Sequence, residues 1–209
     1  MSDDAGADGA VPKDDLPAEI VENVPYWESD PYLDRVSDRL MYNYDLEKDH
    51  AAAGERWDLY GEMRVLSQKQ FFHPALSYAD HEAEEYLFVK RVAEPTVAEL
   101  ERLVEVGHDV ADERVTPDEE HYRTDVTFVA VSETVPDAVA DYVDGFRDRT
   151  LLTFGYHGHY ELNLVVVAPE AETLIASEAA DIADAFALWA AVERESPGLL
   201  SRIARRFWR

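Results

Sequence analysis

The stretch FGYHGHYELN, residues 154–163, holds the residues of this 209-residue chain whose types and spacing best suit chemistry. If the backbone is extended throughout, His157, His159 and Glu161 alternate onto one face of a strand. Two imidazoles and a carboxylate suit zinc, iron or manganese, so a divalent metal is the one cofactor these residues could hold. His73, Asp80 and His81, in a loop expected after the first long strand, would add a ligand or a base if folding brought them near. Gly155 and Gly158 flank His157 and allow the other outcome, a hairpin turn or bulge in which the two imidazoles diverge.

The second candidate is GLLSRIARRFWR, residues 198–209. At helical spacing Leu199, Leu200, Ile203 and Phe207 share one face, while Arg202, Arg205, Arg206 and Arg209 fall largely on the other. Such a helix, set off by Ser196-Pro197-Gly198, suits docking. Its apolar side chains and Trp208 would enter the boundary of an anionic membrane or the groove of a protein partner. Folding back onto its own domain, with the arginines on acidic neighbours, is the competing expectation. The sequence carries no phosphate-cradling GxxxxGK[ST] or GxGxxG, no GxSxG elbow and no HExxH. Two functions follow as expectations. The first is a non-catalytic interaction or regulatory module docking through residues 199–208; the second is a metal-dependent enzyme, such as a hydrolase, centred on His157, His159 and Glu161.

Charge narrows the setting. Forty-five acids face nineteen bases, for a formal net charge of -26, and only Lys13, Lys48, Lys69 and Lys90 are lysines. This composition resembles that of uncharacterised haloarchaeal proteins, in which molar salt shortens the Debye length to roughly 3 Å and screens self-repulsion. Resemblance of setting carries no activity. Such a body repels phosphate, so nucleic acid is not an expected partner. With no cysteine, disulfides, thiolate nucleophiles and cysteine-ligated metals are excluded. The opening MSDDAGADGAVPKDD has acids where a secretory signal has bases, and no apolar run approaches the roughly 20 residues of a spanning helix. The expected location is cytoplasmic, with a peripheral place at the inner membrane face if residues 199–208 meet lipid.

The elements that must position these residues read as follows. Residues 1–29, rich in acids and carrying Pro12, Pro17 and Pro25, are expected to be a disordered tail, with Tyr26 and Trp27 docking on the body. Asp30-Pro31 starts a helix that Leu33, Val36, Leu40 and Tyr44 extend to about Glu47. Strands are expected at 57–72 and 84–92, a helix capped by Thr96 and Glu99, a strand in RTDVTFVAVSE, a short helix in PDAVADYVDGF, strands in RTLLTF and ELNLVVVAP, and a last helix from about Ala171 to Val192. The fold class is therefore α+β, a mixed sheet flanked by helices in the order α-β-β-α-β-α-β-β-α, as one domain over 30–195 followed by the helix of 196–209. In its order of helix, strands, helix and strand the chain resembles the restriction-endonuclease-like nucleases. That resemblance implies an acid two residues before a lysine to hold magnesium, but Val11, Leu46, Ser67 and Phe88 occupy those positions. It implies the fold without the chemistry.

Overall fold

The computed structural model describes residues 25–69, 79–118 and 121–190. The chain opens with Pro25–Ser29, where Trp27 is buried and its indole N–H donates to the carbonyl of Asp58 at 2.8 Å, while Tyr26 stays exposed. Helix α1, Pro31–Leu40, begins as the Asp-Pro pair dictates: the Asp30 carboxylate accepts from the Leu33 amide at 3.1 Å, and proline sits where no amide is needed.

Helix α1 stops seven residues short of the expected end. The chain turns at Met41–Asn43, and Asp45–Ala52 forms strand β1, which pairs antiparallel with β2, Glu55–Lys69. Gly54 and its neighbour Ala53, both at positive φ, make the connection. Pairing satisfies the backbone of a segment whose charges give it no apolar face of its own. Strand β3, Ala79–Arg91, continues the meander, and α2, Val97–Arg114, crosses over to β4, His121–Val131, which runs parallel to β3. Thr96 caps α2 by accepting the Glu99 amide, a contact worth about 1 kcal/mol. Helix α3, Asp137–Gly145, and the short β5, Asp148–Leu151, lead to β6, His159–Ala168, parallel to β4.

The seven strands among the described residues form one mixed sheet in the order β1-β2-β3-β4-β6-β5, with β7, Thr173–Ala176, also on β6. The class is α+β, and the order of helices and strands is the expected one with β1 and β7 added and a 3-10 turn standing in the place of the last helix. Parity divides the core. Val89, Val129, Val131, Val165 and Val167 pack with Leu33, Val36 and Leu40 of α1; Phe88, Val126, Phe128, Leu162 and Leu164 pack with Leu100, Leu103 and Val110 of α2 and Val139 and Val143 of α3. Gly107 permits this closeness: a Cβ there would lie 3.0 Å from both Leu162 and Phe128.

The expected helix over 171–192 is not an α-helix among the described residues. Glu172 adopts a left-handed conformation, Thr173–Ala176 completes the edge of β6, and only the 3-10 turn Asp181–Ala185 is helical. An open edge on β6 offers ladder partners to the Leu174–Ile175 segment that an isolated helix would forgo, so tertiary pairing overrides alanine propensity. Residues 199–208, read as a docking helix, lie outside the described residues, as do His73 and residues 1–24.

No helix among the described residues is long and apolar enough to cross a membrane.

Candidate functional site

Strand register assembles a polar row that no local sequence pattern announces. Met63 is paired with Glu85, Glu85 with Asp125, Asp125 with Glu161, and Glu161 with Arg149, so one row crosses five strands. Glu85, Asp125 and Glu161 have the parity of Leu87, Val129 and Val165, which places them on the α1 face of the sheet. Arg123, two residues before Asp125 on the same face, ties the row together: its guanidinium lies 2.7 Å from Asp125 and 3.3 Å from Glu161. Tyr44, at the end of the α1 turn, donates its hydroxyl to Glu85.

Enclosure sets the chemistry of this row. Asp125 is only 6% exposed, and burial pushes its carboxyl up to about 8, with Arg123 pulling it down and Glu85 pushing it further up. Burial likewise raises Glu85, against the lowering effect of the Tyr44 hydroxyl and of Arg123, and burial raises Tyr44 well above its ordinary value, helped by the Glu85 charge. Burial works to lower Arg123, but its carboxyl neighbours Asp125, Glu161 and Glu85 together outweigh that and raise it, so it stays charged. Asp125 therefore holds a proton at neutral pH beside a permanent cation. Such a group could donate a hydrogen bond or a proton to something brought against it.

The three residues expected to bind a metal do not assemble. Strand β6 begins at His159, and His157 sits in the preceding turn, so the alternation that would align both imidazoles never starts. Gly158 at φ +74° makes the break; a side chain there would run into the Tyr122 backbone. His157 lies 3.2 Å from the Thr153 hydroxyl, while its carbonyl accepts from His121 Nδ1 at 2.7 Å. His159 turns Nδ1 to the Arg149 guanidinium at 3.3 Å, which leaves that nitrogen as an acceptor, and Glu161 is paired with Arg123. Among the described residues no group of three histidine or carboxylate side chains could hold a metal ion. Asp80 and His81 fall within β3, not in a loop.

What the local sequence does build is the turn between β5 and β6. Thr153, Phe154 and Gly155 take positive φ values of 48°, 58° and 90° in succession. Two non-glycine residues in that region cost roughly 1–2 kcal/mol each and persist only when their surroundings fix them. Here the Leu152 amide donates to the Gly158 carbonyl at 3.0 Å and the Tyr156 amide to the Thr153 carbonyl at 3.1 Å, while His121 clamps His157 from the neighbouring strand. The strained path turns apolar side chains outward: Phe154 is 96% exposed, Tyr156 84% and Leu151 58%. Charge makes the site more unusual still. Residues 149–160 contain no acid, in a chain where the acids number 45. The aromatics of TFGYHGH, Phe154 and Tyr156, are the sequence signal of this turn.

A family described as Domain of unknown function (DUF8052) matches residues 28–188, which spans α1 through the 3-10 turn of 181–185 and contains both the polar row and the aromatic turn. No curated protein and no solved structure matches the chain.

Proposed function

We propose, for a chain that belongs to this family of unknown function, DUF8052, the role of a non-catalytic interaction module that docks its β5–β6 turn into an apolar pocket of a partner protein. The observation that carries this reading is the outward presentation of Leu151, Phe154 and Tyr156 on a backbone held in a strained conformation. Aromatic anchors on a preorganised turn lose little freedom on binding. Burying all three side chains offers roughly 4.5–9 kcal/mol gross at about 1.5–3 kcal/mol each, most of which association entropy offsets, so the expected complex is transient.

A protein pocket fits better than a bilayer. Asp148 opens β5, and Asp118 accepts from the His121 amide beside the turn. These carboxylates, on a body of formal charge -26, oppose an anionic headgroup plane but suit basic side chains at a pocket rim. The expectation that residues 199–208 dock as well concerns residues outside the described set, and the turn carries the reading without them. The metal-dependent enzyme finds no support in the placement of His157.

The test is site-specific photocrosslinking in cells that natively make the protein, with p-benzoylphenylalanine in place of Tyr156 and, as control, in place of Tyr42, which is 59% exposed far from the turn in sequence. A discrete protein adduct from position 156 that is absent from position 42 and lost on Phe154→Asp is the expected result. Equal labelling at both positions, or lipid adducts in place of protein, would refute the reading.

A further inference from the structure

The α1 face of the sheet is covered unevenly by the described elements. Leu33, Val36 and Leu40 lie over the rows that contain Leu59, Val89, Val129 and Val165. Toward the start of the parallel strands come the row of Glu85, Asp125 and Glu161 and then the row that pairs Val65 with Ala83, Ala83 with Arg123, and Arg123 with His159. Ala83, Arg123 and His159 are well shielded there, yet Ala83 takes part in neither of the two core clusters the described residues form. Leu46 and Val65 remain partly exposed beside it. The charges are unbalanced as well: beside the protonated Asp125, the carboxylates of Glu85, Glu161 and the nearby Asp181 face Arg123 and Arg149.

The chain itself leads to this face. Beyond β7 it crosses α1, where Tyr32 donates to the Phe186 carbonyl at 2.8 Å and Arg39 to the carbonyls of Asp184 and Ala187 at 3.3 Å. Leu188 and Trp189 then pack against the α1-side core, and residues 191–209 follow. We propose that residues 199–209 of the same chain lie across this part of the sheet, setting Leu199, Leu200, Ile203 and Phe207 on Leu46, Val65 and Ala83, and their arginines toward Glu85, Glu161 and Asp181.

Size and charge agree. Eleven helical residues are about 16 Å long, and β3, β4 and β6 together span roughly 10 Å, so one short helix covers the row. Residues 196–209 contain four arginines and no acid, the complement of a row in which carboxylates exceed guanidinium groups. The eight residues between Ala190 and Leu199 reach roughly 25–30 Å when extended, enough to cross from α1 to β6. This placement is independent of the docking turn, and it gives the arginines a role inside the molecule.

The chain has no cysteine, so Ala204→Cys provides a single position for a nitroxide spin label. In the full chain, the methyl signals of Leu46, Val65 and Ala83 should lose most of their intensity, while those of Val104 and Val139 on the opposite face keep theirs. Replacing Arg202, Arg205, Arg206 and Arg209 together by Glu should restore the lost signals. Uniform broadening, no broadening, or broadening that survives the four substitutions overturns the proposal. So does broadening in a mixture of isotope-labelled chains without nitroxide and spin-labelled chains without isotope, because that result assigns the contact to a second copy. A cover formed instead by residues 70–78 would leave Leu46, Val65 and Ala83 unaffected by the label at 204.

Discussion

The proton held by Asp125 makes stability depend on pH in a direction opposite to that of most salt-bridged carboxylates. In the unfolded chain this side chain ionises near 3.9, as aspartate ordinarily does; in the fold, burial raises it to about 8. Between those values the folded state binds a proton that the unfolded state has released. The contribution of Asp125 is therefore full below about pH 4 and is lost as pH rises toward 8, at up to about 1.4 kcal/mol per pH unit. From pH 5 to pH 7 that is about 3 kcal/mol, a large part of the 5–15 kcal/mol that holds an ordinary domain together. Because Asp125 is 6% exposed, solvent screening takes little from this figure.

Asp125→Asn isolates the effect. The amide keeps the size of the carboxyl and can still accept from the Arg123 Nε–H, which lies 2.8 Å from Asp125 Oδ1, but it has no proton to lose. Urea unfolding followed by tryptophan fluorescence at pH 5, 6, 7 and 8, at one fixed salt concentration, gives the free energy of each protein. The difference between variant and wild type should shift by about 3 kcal/mol in favour of Asn between pH 5 and 7. Taking that difference cancels titration of the seven histidines, which both proteins share. Glu85 adds a slope of the same sign to both, since burial raises it too. A difference that stays constant over this range would refute the claim that Asp125 is protonated in the fold.

Three further outcomes follow from the same contacts. Arg123→Leu removes the group that lies between Asp125 and Glu161; it should cost about 3–5 kcal/mol at pH 7 and less at pH 5, measured by the same urea titration. Gly107→Ala should lower the melting temperature by several degrees in a calorimetric scan, because Leu162 and Phe128, both fully buried, have little room to give way to a Cβ 3.0 Å from each, at about 1–3 kcal/mol, more than the gain in helix propensity returns. Phe154→Ser combined with Tyr156→Ser should leave unfolding within about 0.5 kcal/mol of wild type, since both side chains are exposed; a loss above 2 kcal/mol would mean that they serve the fold and not a partner.

Which elements were legible follows from where their information resides. Asp30-Pro31 and Thr96 with Glu99 announce α1 and α2 because capping is local chemistry between residues three apart. Strands β4 and β6 are legible because sheets covered on both faces demand unbroken apolar runs, VTFVAV and LNLVVVA. Strands β1 and β7 lie at edges, where backbone pairing and not side-chain alternation holds the segment, so Asp45–Glu47 passed for the end of a helix, the residues after it for a connection, and Thr173–Ala176 for the start of another helix. In the second case Leu174, Ile175, Ile182 and Phe186 fit helical spacing as well as they fit a strand followed by a turn.

The polar row was illegible for a further reason. Arg123-Thr124-Asp125 at the head of β4 looks like the solvated start of a strand, and Glu84-Glu85 and Glu161 look the same. Only the register, a relation between residues dozens of positions apart, puts Glu85, Asp125 and Glu161 side by side. The same register joins the two features that differ most in character. Glu161, held by Arg123, is paired with Arg149 two residues before Leu151, and His159 is paired with Leu151 itself. The ion pair thus anchors β6 at the residues from which the strained turn departs, and the turn keeps its left-handed path because both its ends are fixed in the sheet. A buried charge network often stabilises a fold no better than apolar side chains of the same volume would. Its value at this position lies in specifying one register for β6, since a slip of one residue would turn Glu161 into the α2 core and carry Phe154 and Tyr156 with it.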